Sequence, residues 1–162
     1  MSSRPQSQRD PAAARKFVED FALILHQAGM QRMPSRVLSA LLVSETGSMT
    51  AGDIAESLQI SPAAVSGAVR YLAQVGLVRR TREPGERRDH YVIGDDSWYE
   101  VLSHKDRVYR HLAEVLERGA ASVGEDSEAG RRLAETREFF AYLGKEIPML
   151  IDRWREMRAQ ER

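Results

Sequence analysis

Cysteine is absent from this 162-residue sequence, and with it go disulfides, thiolate catalysis, cysteine-rich zinc sites and thiol-based redox sensing. That composition suits a reducing cytosol, so a cytoplasmic location is expected. No apolar run is long enough to span a bilayer, and the first residues carry no apolar signal-peptide core. No membrane partner is therefore expected. A Gly-rich phosphate loop, a metalloprotease motif and a nucleophile elbow are all missing, so neither an enzyme nor a bound cofactor is expected. Excess charge is missing too: 24 basic and 24 acidic side chains give a formal net charge of zero. A nucleic-acid partner would have to be recognised by local charge, because the sum does not announce one.

What is present is a chain 42% hydrophobic and 30% charged, a composition that folds. Residues 1–10 are polar and read as a flexible arm. Asp10-Pro11 opens a helix with a capping carboxylate and a proline at the first helical position. Phe17, Val18, Phe21, Ile24, Leu25 and Ala28 then recur at helical spacing up to Gly29. The run Val37–Val43 predicts a short buried helix opened by Pro34-Ser35 and closed by Thr46-Gly47. Thr50 with Asp53 resembles a capping box, and introduces a helix whose inner face is Ile54, Ala55 and Leu58. After a tight turn at Gln59-Ile60, Ser61-Pro62 repeats the cap-plus-proline signal for a helix reaching Val75 and ended by Gly76. Two short helices about a tight turn are a helix-turn-helix.

Leu77–Arg82 and His90–Ile93 suit strands, and Glu83-Pro84-Gly85-Glu86 between them suits a turn, giving a hairpin wing. A long helix follows Gly94-Asp95-Asp96, with Trp98, Val101, Leu102, Val108, Leu112, Val115 and Leu116 on its apolar side. Gly124–Ser127 breaks it. In the last helix Leu133, Thr136, Phe140, Leu143, Ile147, Leu150, Trp154 and Met157 step alternately by three and four, the spacing of a packed seam. The fold expected is mostly α with a small β-hairpin wing. It comprises the arm, a scaffold helix over 11–29, a winged helix-turn-helix over 30–94, a helical dimerisation region over 95–158, and a tail over 159–162.

Between Ser61 and Arg82 the only charged residues are Arg70, Arg79, Arg80 and Arg82. Val65, Val69, Leu72 and Val75 share the inner side of their helix, leaving Ala63, Ala64, Ser66, Gly67 and Arg70 outward. A surface helix usually carries Glu and Lys there, whereas small side chains let a helix seat deeply in a major groove. Ser61 and Ser66 can donate to phosphate or base edges, and Arg70 can fork onto guanine or hold a phosphate. In the wing, Arg87 and Arg88 lie where an arginine would enter a minor groove, with Arg87 the first choice. The bland alternative is an exposed helix followed by a solvated turn.

The stretch from Ala51 to Ile93 resembles the winged-helix core of the MarR superfamily. The wing Pro84–Arg88 and the segment Gly29–Glu45 are most similar to its GbsR-type branch. The resemblance implies a homodimer on a pseudo-palindromic operator of double-stranded DNA, usually as a repressor, with release by a small-molecule effector and control of transporter genes. It implies DNA contacts from Ser61, Ala63, Ala64, Ser66, Gly67, Arg70, Arg87 and Arg88, to which the basic strand adds Arg82. Gln31 and Ser35 stand where the branch would have proline and glycine, which leaves Arg32 and Arg36 without a role.

A long helix pair has too little chain left to cover its apolar seam, so a second copy is expected to bury it. Phe17, Phe21, Phe140, Ile147, Leu150 and Trp154 are the interface candidates; an intramolecular bundle is the other use for them. Pro148, whose ring crowds the Gly144 carbonyl, predicts a kink or break, read either as a hinge or as a fixed bend. Phe21, Met30, Met33, Trp98 and Tyr99 are candidates for an effector pocket, or for plain core. Glu100, His104, His111 and Glu114 allow a metal reading, against which stands an ordinary solvated face, and no metal is expected. A winged helix used only for protein contacts is the remaining alternative.

Overall fold

The computed structural model describes residues 10–82, 84–94 and 97–161, with the backbone alone for 100–106. The chain divides into two compact units, residues 1–97 and 98–162.

The first unit begins with α1 (Pro11–Gln27), whose Asp10 carboxylate accepts from the backbone N–H groups of Ala12 and Ala13 at 2.9 and 3.2 Å. That is the cap predicted from Asp10-Pro11. The next helix, α2 (Arg32–Val43), starts earlier than Pro34-Ser35 suggested. Pro34 lies inside its first turn, where the missing N–H has no intrahelical partner to lose, so proline does not mark the boundary. Seven residues of α2 are buried: Pro34, Ser35, Val37, Leu38, Ser39, Ala40 and Leu41. Two of these are serines, and each hydroxyl donates to the carbonyl four residues back, Ser35 to Gln31 at 2.8 Å and Ser39 to Ser35 at 2.7 Å. Burial thus leaves no hydroxyl unsatisfied.

A short strand, β1 (Ser48–Thr50), follows and was not expected. Three residues are too few to show an alternation, and Thr50 also serves as the cap of the next helix. In α3 (Ala51–Leu58) the capping box is complete: Thr50 Oγ1 accepts from the Asp53 N–H at 3.2 Å, and Asp53 accepts from the Thr50 N–H at 2.9 Å. Gln59 closes α3 in the left-handed region at φ 52°, making the tight turn to α4 (Pro62–Gln74). The wing strands are β2 (Val78–Thr81) and β3 (His90–Ile93), paired antiparallel with Val78 opposite Ile93 and Thr81 opposite His90. β1 joins the other edge of β3, so the hairpin becomes a three-stranded sheet of order β1-β3-β2. Val37, Leu38, Leu41, Ile54, Val65, Leu72, Leu77 and Val78 form the interior of this unit.

The second unit is built from α5 (Ser97–Val123) and α6 (Glu128–Gln160). Gly124 turns the chain at φ 88°. Gly130 in α6 passes so close to that turn that a Cβ would lie 2.2 Å from the Gly124 carbonyl oxygen, which only glycine permits. The two helices pack antiparallel: Leu133 reaches Gly119, Arg137 pairs with Glu117 at 3.3 Å, and the Tyr109 and Phe140 rings stack at 6.0 Å. The predicted break at Pro148 does not occur, since α6 runs through it as one element.

Asp53 supplies a test of the capping box. The Thr50 hydroxyl, and then its backbone N–H, hold the Asp53 carboxyl below the usual carboxylate range. A pKa depressed by folding adds stability that is fully present above the unfolded value of about 3.9 and is lost as pH falls through the folded value. Urea unfolding followed from pH 6 to pH 2 is expected to show an acid limb that Asp53→Asn flattens. An unchanged limb in that variant would assign the acid sensitivity elsewhere.

Candidate nucleic-acid interface

The helix that would read DNA is held by its inner face. Val65, Ala68, Val69 and Leu72 of α4 are buried, and α2 packs against them. Val75, expected with them, is half-buried at the C-terminal cap. The opposite face is open: Ser61, Ala63, Ser66, Gly67 and Arg70 are exposed, and Ala64 is half-buried. Ser61 caps the helix, its oxygen accepting from the Ala64 N–H at 3.2 Å. The Ser61 hydroxyl hydrogen stays available to an outside acceptor, so capping and phosphate contact are compatible uses of one side chain. A Cβ at Gly67 would meet nothing within 4 Å. Neither its backbone angles nor its neighbours require glycine at this position in the helix interior, where it costs about 1 kcal/mol relative to alanine. The fold alone does not explain it.

On the wing, Arg79, Arg80 and Arg82 are exposed along β2 and its end, and Arg87 and Arg88 are exposed on the loop. Arg80 and Arg82 share one carboxylate. Arg80 Nη2 bonds Asp89 Oδ2, while Arg82 reaches Asp89 Oδ1 through Nε at 3.0 Å and Nη2 at 2.8 Å. The Arg80 guanidinium, together with Arg82, holds the Asp89 carboxyl below the usual carboxylate range. Arg87 and Arg88 have no ion-pair partner among the described residues. The loop is anchored beneath them by His90, whose Nε2 lies 2.7 Å from Glu86 Oε2 and whose Nδ1 lies 3.3 Å from Ser48 Oγ. The unexpected strand β1 is thus one of the supports of the wing.

Arg36, left without a role by the sequence, joins three helices. Its Nε and Nη2 donate to Glu19 of α1 at 3.0 and 2.6 Å, and Nη2 also donates to the Leu58 carbonyl that ends α3, at 3.3 Å. An expected charge pattern did not flag it, because its partners lie 17 and 22 residues away in sequence.

Among the candidates for association, Phe17, Leu150 and Trp154 are exposed, whereas Phe21, Phe140 and Ile147 are half-buried. Phe140 spends its face on Tyr109, and Phe21 stacks on Phe17 at 5.4 Å. Sequence spacing missed Phe139, Tyr142 and Met149, which are 57%, 61% and 49% exposed. The alternating seam ran partly along the side of α6 that faces α5, and the open apolar stripe lies one residue around the helix. Of the effector-pocket candidates, Phe21, Met30 and Met33 are half-buried in the first unit. In the second, Trp98 is exposed, and Tyr99 accepts a hydrogen bond from Trp154 Nε1 with the Arg155 guanidinium 5.6 Å above its ring. Of the metal candidates, the side chains of Glu100 and His104 lie outside the described residues. His111 and Glu114 are a solvent-exposed pair 3.7 Å apart. No group of three potential metal ligands occurs among the described residues, and no helix there is long and apolar enough to cross a membrane.

Two family models match consecutive parts of the chain. One, described as the MarR family, covers residues 28–89; the other, described as an MmpR5-like MarR family transcriptional regulator, covers residues 96–158. The chain belongs to the MarR family. It is a DNA-binding transcriptional regulator of that family. The MarR-family protein is 22% identical over 147 residues to the HTH-type transcriptional regulator MmpR5 of Mycobacterium tuberculosis, covering 90% of this chain and 89% of that one. It is 23% identical over 145 residues to the HTH-type transcriptional repressor OpcR of Bacillus subtilis, covering 80% and 78%. A crystal structure of a transcriptional regulator superposes with a TM-score of 0.77 at 23% identity, over 89% of this chain and 99% of that one, and shows the same fold.

Gly67 of this MarR-family protein offers a stability test. Gly67→Ala is expected to raise the free energy of unfolding by about 0.5–1 kcal/mol, because the helix gains propensity and the methyl group meets no neighbour. A denaturant titration that shows the variant to be less stable would mean that the position is constrained by the fold after all.

Proposed function

We propose that this MarR-family regulator is a homodimeric repressor that reads a pseudo-palindromic operator through α4 and the wing. The observation that carries the assignment is the open face of α4, free of acids and lined by Ser61, Ala63, Ala64, Ser66, Gly67 and Arg70, on the same unit as the arginine wing. Small side chains let the helix axis approach base edges, and Arg70 is long enough to reach a guanine or a phosphate from the rim of that face. Arg87 and Arg88 are exposed and have no ion-pair partner among the described residues, the state in which a guanidinium gains most from the negative potential of a narrow minor groove. Arg82 completes the set from the outer end of β2. Repression is supported by the description of the Bacillus subtilis relative as a repressor. The finer placement in the GbsR-type branch rests on the wing Pro84–Arg88 and on Gly29–Glu45. With it come a transporter gene as the target and release by a small ligand, and mapping the bound DNA across the genome would name the former.

Dimerisation is supported by the second unit. Among its described residues only Ala120 and Ile151 are buried apolar side chains, while Val108, Val115, Phe139, Tyr142, Met149, Leu150, Trp154 and Met157 are exposed. Burying a side chain of this size is worth about 1.5–3 kcal/mol, so a hairpin that leaves so many open is stabilised by a second copy. A closed two-fold pair also sets two reading helices about one DNA turn apart.

Both parts are open to measurement. Arg70→Ala and Arg87→Ala are each expected to weaken promoter binding by about 1–3 kcal/mol and to shallow its salt dependence. A winged helix that serves only protein contacts would show no salt-dependent DNA binding, and variants that bind like the parent would overturn the residue assignment. For the dimer, light scattering is expected to give twice the 18.3 kDa chain mass, falling to one chain mass in Phe139→Glu with Leu150→Glu. A monomeric parent protein at micromolar concentration would refute it.

A further inference from the structure

The register of the wing places three charged side chains on one face. Arg80 pairs with Tyr91 and Thr81 with His90, so the next pair outward sets Arg82 opposite Asp89, with Arg80 on the diagonal. Residues two apart on a strand share a face, and diagonal neighbours on that face are within reach of long side chains. The carboxylate uses both oxygens: Oδ1 takes the Nε and Nη2 groups of Arg82, and Oδ2 takes Nη2 of Arg80. Asp89 lies beneath the two guanidiniums, 21% exposed against their 61% and 59%. The contrast within the same wing is direct, since Arg87 and Arg88 carry no such partner among the described residues.

A carboxylate held by two arginines occupies the donors that a phosphate would take, because each anion presents a pair of oxygens that the guanidinium fork can bond. We propose that Asp89 sets the selectivity of this protein for its operator over other DNA, by occupying the phosphate-binding donors of Arg80 and Arg82 until the wing is docked in register. The proposal rests on the DNA-reading assignment above. On an arbitrary sequence the wing meets phosphate in a poor register, and the two arginines keep their internal partner. On the operator, α4 and the wing arrive together, and a phosphate is held where it can replace Asp89 on the arginine N–H groups. Of the five donors on Arg82, two are spent on Asp89, which leaves the outer ones for that exchange. Asp89 also removes one unit of charge from a surface that would otherwise bind any duplex, the sequence-independent part of affinity.

The test compares two duplexes, one selected by the wild-type protein from a random library and one of the same composition with shuffled sequence. Affinity is followed by fluorescence anisotropy across a salt titration. Asp89→Asn removes the charge and keeps the size. At about 0.1 M salt it is expected to bind the shuffled duplex about five- to tenfold more tightly, with a log–log salt slope steeper by about one phosphate contact. The selected duplex should gain less, so the ratio between the two falls. Adding Arg82→Gln to Asp89→Asn should take back most of that gain, whereas Arg82→Gln alone should cost less in the parent. Asp89→Glu should keep the parental ratio. If Asp89→Asn leaves both the ratio and the slope unchanged, or weakens both duplexes equally, Asp89 is a structural pin of the wing and the proposal is overturned. Should Asp89→Asn prove unfolded by circular dichroism, equal effects of Arg82→Gln on the two duplexes would overturn it as well. Wild-type protein that selects no duplex would instead remove the DNA-reading assignment beneath it.

Discussion

The packing of α2 is the constraint on which the first unit depends. It is the helix against which α1, α3 and α4 all lie, and it also meets β3. A helix surrounded on so many sides is expected to be apolar all round, yet α2 carries Ser35 and Ser39 in its interior face. Their hydroxyls are satisfied within the helix itself, so small polar side chains can stand where bulk would push the neighbours apart. The position of α4, and therefore the height of its open face, follows from how closely those neighbours approach. Arg36 adds a directional bond to this packing. Its fork ties Glu19 of α1 to the last carbonyl of α3, which is the turn immediately before α4 starts. The half-buried Arg36 guanidinium thus links α1 to that turn directly, beside the packing of α1 on α2.

Charge is arranged on the same economy. A chain of zero net charge meets a polyanion by concentrating its basic groups where the acids are few, and by choosing which of them are neutralised. The outer face of α4 has no acid at all. The wing has arginines in two states, Arg80 and Arg82 held by Asp89, and Arg87 and Arg88 exposed without an ion-pair partner among the described residues. Exposed ion pairs add little to stability, since solvent screens them and long side chains lose freedom in forming them. The trio around Asp89 therefore adds little to the stability of the hairpin, which the sheet register also holds. Its effect is on what the surface presents to a ligand.

Much of this was legible in the sequence where a local chemical signal exists. Asp10-Pro11, Thr50 with Asp53, and Ser61-Pro62 each announced a helix start that the structure places where it was expected, because a cap is satisfied by residues two or three positions away. The face of α4 was legible for a similar reason, since helical period sorts its residues without knowledge of the partner. The features that escaped are those decided at a distance. β1 exists because β3 offers it an edge 42 residues later, and three residues cannot advertise that. α2 begins two residues before its proline, at a start that has no side-chain cap. Phe139, Tyr142 and Met149 look like any apolar positions until the direction of α5 is known. The shared carboxylate of Asp89 needs the strand register, and residues 80, 82 and 89 have none until the hairpin closes.

Pro148 shows how one such distant effect changes a functional reading. Proline in a helix interior removes a hydrogen bond and crowds the carbonyl four residues before it, and on sequence grounds that favoured an interruption with room for a hinge. In the structure α6 continues through the site. The crowded carbonyl belongs to Gly144, which lies against Tyr109 and Arg110 of α5, so the neighbouring helix braces the stretch where the internal bond is missing. A glycine there brings the helices close enough for that bracing, and the residues on either side, Leu143 and Ile147, are half-buried in the same contact face. A hinge needs a segment whose alternatives are close in energy, and a helix clamped along its weak turn does not supply one. Within the second unit α6 is therefore continuous and braced through its proline turn, and that turn offers no hinge.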